Sequence, residues 1–442
     1  MEYKPEEILK PVGKIFGALR LPHKKHTAEF ETVKLPLPGV VTIPLKQHIG
    51  VECEPLVKAG DKVLVGTKIG DSDKTLSAPI HSSVSGVVKG FSDMLGVSGE
   101  IIKCVVIESD GLMEEEKFEP PVITSAEDLV RAARDSGLVG LGGAGFPTHI
   151  KLAPAAADNI DTLIINGAEC EPYITSDYRT CVEHFRDVID GVYLLKEKLN
   201  VKNVIIAVED NKPEAIKILY EIATDKRDSD NAVKIMSLKS SYPQGAEKVL
   251  VYSTTGRKIP FGKLPADVGC LVMNITSVAV LNKFVTTGKP LVAKILTVDG
   301  DAIKAPKNVL VPIGTHISDV LEFCEAEKDI AKILYGGPMM GVAVTSDSAV
   351  ITKQNNAILA FRNDNAVPTT PCIRCGKCAA ACPMSLTPAP VEYAVKKGFT
   401  EKIEALNVNY CIECGSCSYS CPAGRPLTQC MRTAKSMLRR GK

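Results

Sequence analysis

The apolar positions change their period several times along the chain. In VKAGDKVLVGTKIGDSD (Val57–Asp73) and SAPIHSSVSGVVKGF (Ser77–Phe91) they alternate with polar ones around Gly60-Asp61 and Gly66, which predicts short strands joined by tight turns. The acidic stretch LMEEEKFEPP (Leu112–Pro121) reads as a linker. Beyond it, SAEDLVRAARDSG takes the helical period, with Ser125 and Asp128 spaced as a cap and Gly137 as a stop. Strand-like DTLIINGA and NVIIAVED then alternate with helical segments such as EHFRDVIDGVYLLKEKL, the signature of a layered α/β domain. LVAKILTVDGDAI reads as a hairpin, ISDVLEFCEA as a helix and AVITKQNNAILAF as strand, and from Pro368 the chain is helical and rich in cysteine. The expected fold class is α/β multidomain, with boundaries at 1–120, 121–285, 286–362 and 363–442.

Bulk composition removes two classes of function. Lys plus Arg number 53 against 52 Asp plus Glu, so the net charge of +1 offers no general attraction for nucleic acid. No apolar run nears the roughly 20 residues of a membrane span, and MEYKPEEILK lacks the apolar stretch of a secretory signal. The expectation is a cytosolic chain, still free to dock on a membrane partner. Its 15 cysteines are then thiols or metal ligands rather than a disulfide framework. Residues 1–120 resemble the barrel-sandwich fold of biotinyl and lipoyl carrier domains. Lys74 lies where a carrier would hold its acylated lysine, but Ala78-Pro79 follows so soon that the hairpin is truncated, and the domain is expected to serve as scaffold.

Eight cysteines fall in two copies of Cys-x2-Cys-x2-Cys-x3-Cys-Pro: CIRCGKCAAACP from Cys372 and CIECGSCSYSCP from Cys411. Three thiolates at this spacing can wrap three corners of an iron–sulfur cubane, while the fourth is carried away; in two-cluster ferredoxins it ligates the other cluster. That rule assigns one [4Fe-4S] centre to Cys372, Cys375, Cys378 and Cys421, and its twin to Cys411, Cys414, Cys417 and Cys382. Zinc is the rival, but zinc ribbons usually pair two Cys-x2-Cys knuckles across a long gap. The remaining seven cysteines are expected to be buried thiols.

GLVGLGGAGFPTHIK (Gly137–Lys151) contains a glycine loop that precedes Pro147 and a helix start. Bare amides and a helix N-terminus suit a phosphate, although a helix rather than a strand precedes the loop, unlike the usual dinucleotide fingerprint. Together with INGAECEPYITSD (Ile165–Asp177), this segment resembles the flavin and NADH site of the 51-kDa, NuoF-type subunit family of respiratory complex I. The order of carrier-like domain, glycine loop, YPQGAEKVL and two ferredoxin motifs is similar to the RnfC family over nearly the whole chain.

The resemblance implies an α/β domain of the complex I 51-kDa type for the second unit, while the 286–362 segment reads as a β-grasp (SLBB-like) module. It implies that Gly140, Gly142, Gly143, Gly145 and Lys151 hold the phosphate of FMN, that Asn166 and Asn274 contact the flavin, and that Gly245 belongs to the same seat. Glu169 and Glu171 match acidic residues near the isoalloxazine and nicotinamide, and Glu247 matches the second glutamate of a GEE pattern; Glu171 and Glu247 are the candidate catalytic pair. Val139 and Leu141 replace arginines of the complex I pattern, Ala168 an aspartate and Ala246 a glutamate, which leaves FMN better supported than NAD(H). GALRLPHKK, which loosely resembles an RnfC stretch, is assigned no chemistry. His149 and the basic tail RTAKSMLRRGK are expected on solvated helix surfaces, and Cys170 is expected to be a packed thiol.

The implied activity is that of a ferredoxin:NAD+ oxidoreductase component, exchanging hydride with NAD(H) at FMN and single electrons through two [4Fe-4S] clusters. Its partners would be the other subunits of an Rnf-type complex moving Na+ or H+, which would hold it peripherally on the cytoplasmic side of the cell membrane. The alternatives are a soluble cobalamin reductase of the PduS type, whose domain order differs, and a cluster relay without catalysis.

Overall fold

The computed structural model describes residues 3–96, 99–143, 145–157, 160–223, 231–344, 349–364 and 366–440. After a short strand β1 (Val33–Lys34) come β2 (Val40–Pro44), β3 (Glu54–Pro55), β4 (Lys62–Val63), β5 (Lys68–Asp71), β6 (Ile80–His81), β7 (Gly86–Leu95) and β8 (Ile101–Ser109). They make a four-stranded sheet in the order β2-β8-β7-β4 and a three-stranded sheet β3-β5-β6. Alternate apolar residues from both sheets, among them Ile43, Ile69, Ile80, Val88 and Ile107, share one core, as the period-two pattern requires. Lys74 is exposed in the bend between β5 and β6.

The central domain comprises α1 (Ala126–Asp135), α2 (Thr148–Ala156), β9 (Thr162–Gly167), α3 (Ser176–Glu183), α4 (Phe185–Lys198), β10 (Asn203–Glu209), α5 (Pro213–Ala223), β11 (Val233–Leu238), α6 (Glu247–Thr255), β12 (Cys270–Asn274) and α7 (Ile275–Thr287). Ser125 and Asp128 form a capping box at α1, each side chain bonding the other's backbone amide. The four strands are parallel in the order β11-β10-β9-β12. Their continuous apolar runs are buried, as in sheets covered on both faces. The direction of winding reverses between β9 and β12, and ligands of such sheets bind beyond the carboxyl ends of the strands at that point.

A mixed sheet follows, built from β13 (Ala293–Asp299), β14 (Lys307–Pro312), β15 (Lys332–Tyr335), β16 (Val342–Ala343) and β17 (Ala357–Phe361) with helix α8 (Ile317–Phe323). Strand β1 adds to its edge beside β14, so the sheet runs β1-β14-β13-β17-β15-β16. The cysteine-rich unit contains α9 (Lys377–Ala380), α10 (Pro388–Lys397), α11 (Thr400–Ala405), α12 (Ser416–Tyr419) and α13 (Leu427–Arg440). Residues preceding β1 lie across the central domain: Leu9 bridges Met236, Leu19 bridges Tyr242, and Gly17 packs against the Ala380–Cys382 turn.

Buried lysines lock these units together. Lys353 donates to the carbonyls of Pro79 in the barrel and Gly137 ahead of the glycine loop, both at 2.7 Å. Lys294 of β13 donates to the Leu141 carbonyl at 2.6 Å. Lys25 donates to the carbonyls of Glu169 at 2.8 Å and Glu171 at 2.9 Å, and also to that of Ile174. GALRLPHKK, without expected chemistry, thus ends in the residue that ties down the loop after β9.

Replacing Lys353 with Met would strand two buried carbonyls, at a cost of about 2–4 kcal/mol. Burial pushes this ammonium down to about 7 from its ordinary 10.5. Between those values the unfolded chain binds a proton that the folded chain lacks, so stability rises with pH across the window. In urea unfolding, the gap between wild type and Lys353→Met should be wider at about pH 9 than at about pH 6.

Candidate flavin seat and cluster loops

The glycine loop closes between α1 and α2. The Gly140 amide donates to the Phe146 carbonyl at 2.9 Å, and Pro147 caps α2, so the predicted helix start is present. Gly142 and Gly143 are exposed. A Cβ on Gly143 would meet nothing within 4 Å, whereas one on Gly142 would lie 2.7 Å from Asn274 Nδ2. The loop is therefore a bare backbone ledge beside Asn274, open to the close approach of a phosphate.

Asn274 and Asn166 end adjacent strands and are partners in register. Asn274 caps α7, accepting from the Ser277 amide at 3.1 Å, while its Nδ2 donates to Asp177 at 2.8 Å. Asn166 donates to the Gly245 carbonyl at 2.9 Å and accepts from the Ala168 amide at 3.1 Å. A Cβ on Gly245 would stand 2.3 Å from the Ala168 carbonyl, so only glycine permits this approach. Lys151 pairs with Glu247 at 2.6 Å, both partly exposed. The structure thus brings Gly142, Gly143, Lys151, Asn166, Gly245, Glu247 and Asn274 to one end of the sheet.

The two acidic residues of the loop after β9 are engaged elsewhere. Glu169 accepts from the Asp177 amide at 2.7 Å and lies 4.0 Å from Lys25; burial pushes its carboxyl up and the Lys25 ammonium down. Glu171 accepts from the amides of Met339 at 3.0 Å and Met340 at 2.8 Å, and burial pushes it up to about 7. Cys170 between them is packed, accepting from the Gly245 amide at 3.4 Å, and burial pushes its thiol up to about 12. His149 is not on a helix surface: it is 7% exposed, with Nε2 3.3 Å from the Thr75 carbonyl oxygen.

The cysteine loops are conformational copies. Arg374 and Glu413 both have positive φ, at 56° and 57°, as do Gly376 and Gly415, and again Ser385 and Gly424. Such left-handed residues turn successive amides toward one side. The Glu413 amide donates to Cys411 Sγ and the Leu386 amide to Cys382 Sγ, each at 3.3 Å, contacts of the type that tune a cluster. Cys382 lines the same cavity as Cys411, Cys414 and Cys417, walled by Met384, Leu386 and Met431. Cys421 lies within electrostatic range of Cys378, and with Cys372 within that of Arg425. The tail is partly committed: Lys435 donates to the Cys411 carbonyl at 2.7 Å and pairs with Glu413.

Lys25, Lys294 and Tyr242 hold the site together although none is among the residues expected from the sequence. Tyr242 is buried and donates its hydroxyl to the Cys414 carbonyl at 2.6 Å. It heads YPQGAEKVL, so the signal for it was present; the lysines carry no local signal.

A glycine ledge at a parallel-sheet switch, joined to paired cubane loops, defines a flavin- and iron–sulfur-type electron-transfer protein. Family comparisons agree: residues 133–283 match the Nuo51 FMN-binding domain, 14–112 the RnfC barrel sandwich hybrid domain, and 371–425 the 4Fe-4S dicluster domain. The chain is 42% identical to a component of the proton-translocating ferredoxin:NAD(+) oxidoreductase complex of Clostridium ljungdahlii, over 93% of this chain and 91% of that one. It is 39% identical to the corresponding component of the Na(+)-translocating ferredoxin:NAD(+) oxidoreductase complex of Acetobacterium woodii, over 96% of each. It belongs to the RnfC family of oxidoreductase complex subunits. An NAD+-reducing [NiFe]-hydrogenase structure shares the fold at 19% identity and a TM-score of 0.50, over 64% of this chain and 54% of that chain.

Gly245→Ala should force the Ala168 carbonyl away and displace Asn166, lowering bound FMN while leaving iron unchanged, as read from the flavin-to-iron ratio. Cys382→Ser should remove the second-loop centre and leave the first, dropping iron from about eight to about four per chain.

Proposed function

We propose that this chain is the subunit through which an Rnf-type ferredoxin:NAD+ oxidoreductase exchanges electrons with NAD(H). FMN, when bound, supplies hydride exchange with nicotinamide and the division of the pair into single electrons. The residues around it bind and orient. Gly142 and Gly143, both exposed and without side chains, offer backbone amides to the phosphate, with Lys151 one turn into α2 as a counter-charge. Asn166 and Asn274, fixed by their own backbone bonds, present amide groups at the strand ends. Glu247 holds Lys151 in place and is the acidic residue of the expected pair that stays beside the seat, since the Glu171 carboxylate is taken by the Met339 and Met340 amides.

The observation that carries this reading is the turn from Ser241 to Gly245. Its Gly245 carbonyl bonds Asn166 of the flavin seat, and its Tyr242 hydroxyl bonds the second cysteine loop. One short segment therefore joins both halves of the redox machinery. The names of the relatives place them in ion-translocating complexes. No helix among the described residues is long and apolar enough to cross a membrane. On this reading the chain sits peripherally at the cell membrane, on the cytoplasmic side, held by its partner subunits. The domain order and the relatives favour this over a cobalamin reductase.

Anaerobic titration with NADH tests the proposal: the flavin absorption should bleach and the cluster absorption fall with it. Flavin that stays oxidised under excess NADH would leave only the relay. Lys151→Ala should weaken FMN retention by more than about tenfold, the value of one charge-assisted bond of about 1.5–3 kcal/mol.

A further inference from the structure

The two cysteine loops share one conformation and differ in what covers them. The second is enclosed: Cys414 and Cys417 are each 8% exposed, and Ile412 is half-buried. Tyr242 bonds the Cys414 carbonyl, and Gly415 packs so tightly against Met339 that a Cβ would lie 2.5 Å from its carbonyl oxygen. Phe261 stacks on Tyr410 just before the loop, with ring centroids 3.7 Å apart. Every one of these covering residues comes from the central domain or the mixed sheet. The second loop thus faces the flavin seat.

The first loop faces outward. Residues 366–377 are exposed throughout, including Cys372 and Cys375. Ile373, the counterpart of half-buried Ile412, is 68% exposed, and Val367 is 64% exposed. This edge is nevertheless ordered, because the Thr370 amide donates to the Ala423 carbonyl at 3.0 Å and Arg425 donates to the Thr370 carbonyl at 2.8 Å. Val367 and Ile373 thus leave apolar surface in water near two exposed ligands, on an edge held in place by backbone bonds. The charge of the two loops also differs. From Ala366 to Val391 the chain carries Arg374 and Lys377 and no acidic residue, whereas the second loop carries Glu413, neutralised by Arg432 and Lys435.

We propose that the loop Val367–Lys377 is the docking face for a redox protein whose own centre is rimmed by carboxylates, and that the second loop is the inward, flavin-facing station. This rests on the function proposed above. Val367 and Ile373 supply the desolvated centre of the contact, and Arg374 and Lys377 its electrostatic steering. Exchange across such a face is of single electrons, the donor oxidised by one and the acceptor reduced by one, with no bond made.

The test uses the anaerobically purified protein with both centres and FMN in place. The spectrum of each centre is assigned from the signal lost in Cys372→Ser and in Cys411→Ser. A dissolved paramagnetic dysprosium chelate should then accelerate electron-spin relaxation of the Cys372 signal and leave the Cys411 signal unaffected; equal or inverted effects overturn the assignment of faces. In stopped flow, a reduced acidic two-cluster ferredoxin serves as the probe. The double variant Arg374→Glu with Lys377→Glu should slow its electron delivery about tenfold or more at low ionic strength, with the difference vanishing in high salt. A wild-type protein that accepts no electrons from this probe, or a rate untouched by charge reversal, overturns the docking face. Flavin bleaching by NADH, measured on the same samples, reports separately on the proposed function.

Discussion

The arrangement depends on ammonium groups buried against peptide carbonyls. A loop that must hold a ligand on bare backbone cannot fix itself with side chains, since glycine has none. Here its carbonyls are held from outside: Lys353 grips Gly137 and Lys294 grips Leu141, both from the mixed sheet, while Lys25 grips the loop after β9. Neutral acceptors offset only part of the cost of burying a charge, and burial accordingly pushes Lys294 as well as Lys353 down to about 7. What these residues supply is position. They tie the mixed-sheet unit and the N-terminal segment to the glycine loop and to the loop after β9.

The same constraint explains what could be read from the sequence. Layered α/β order, the barrel, and the doubled cysteine loop were legible because they rest on local period and spacing: the capping box at Ser125, the runs of β9 and β10, the two copies of one cysteine motif. The glycine loop was legible as a helix start. The partners of Glu169 and Glu171 were not, because they lie in segments far away in the chain, at Lys25 and at Met339 and Met340. Nor could spacing reveal that β1 leaves the barrel for the edge of the mixed sheet. Long-range partners of charged side chains have no period, and a lysine bound for the interior reads in sequence like one bound for water.

The cysteine loops show how repetition and asymmetry coexist. Matching left-handed residues at Arg374 and Glu413, and at Ser385 and Gly424, preserve two copies of one turn. The surroundings then divide them, since the N-terminal segment and the central domain can cover only one side. Gly17 against the Ala380–Cys382 turn and Tyr242 against Cys414 mark that side.

The position of Gly17 also bears on how the molecule matures. During synthesis the N-terminal segment leaves the ribosome long before the Ala380–Cys382 turn on which Gly17 rests. Leu9, Leu19 and Lys25 can settle on the central domain once it exists, but the contact of Gly17 waits for the last domain. The contact of Gly17 therefore ties the beginning of the chain to its last domain, and forms only once both are made.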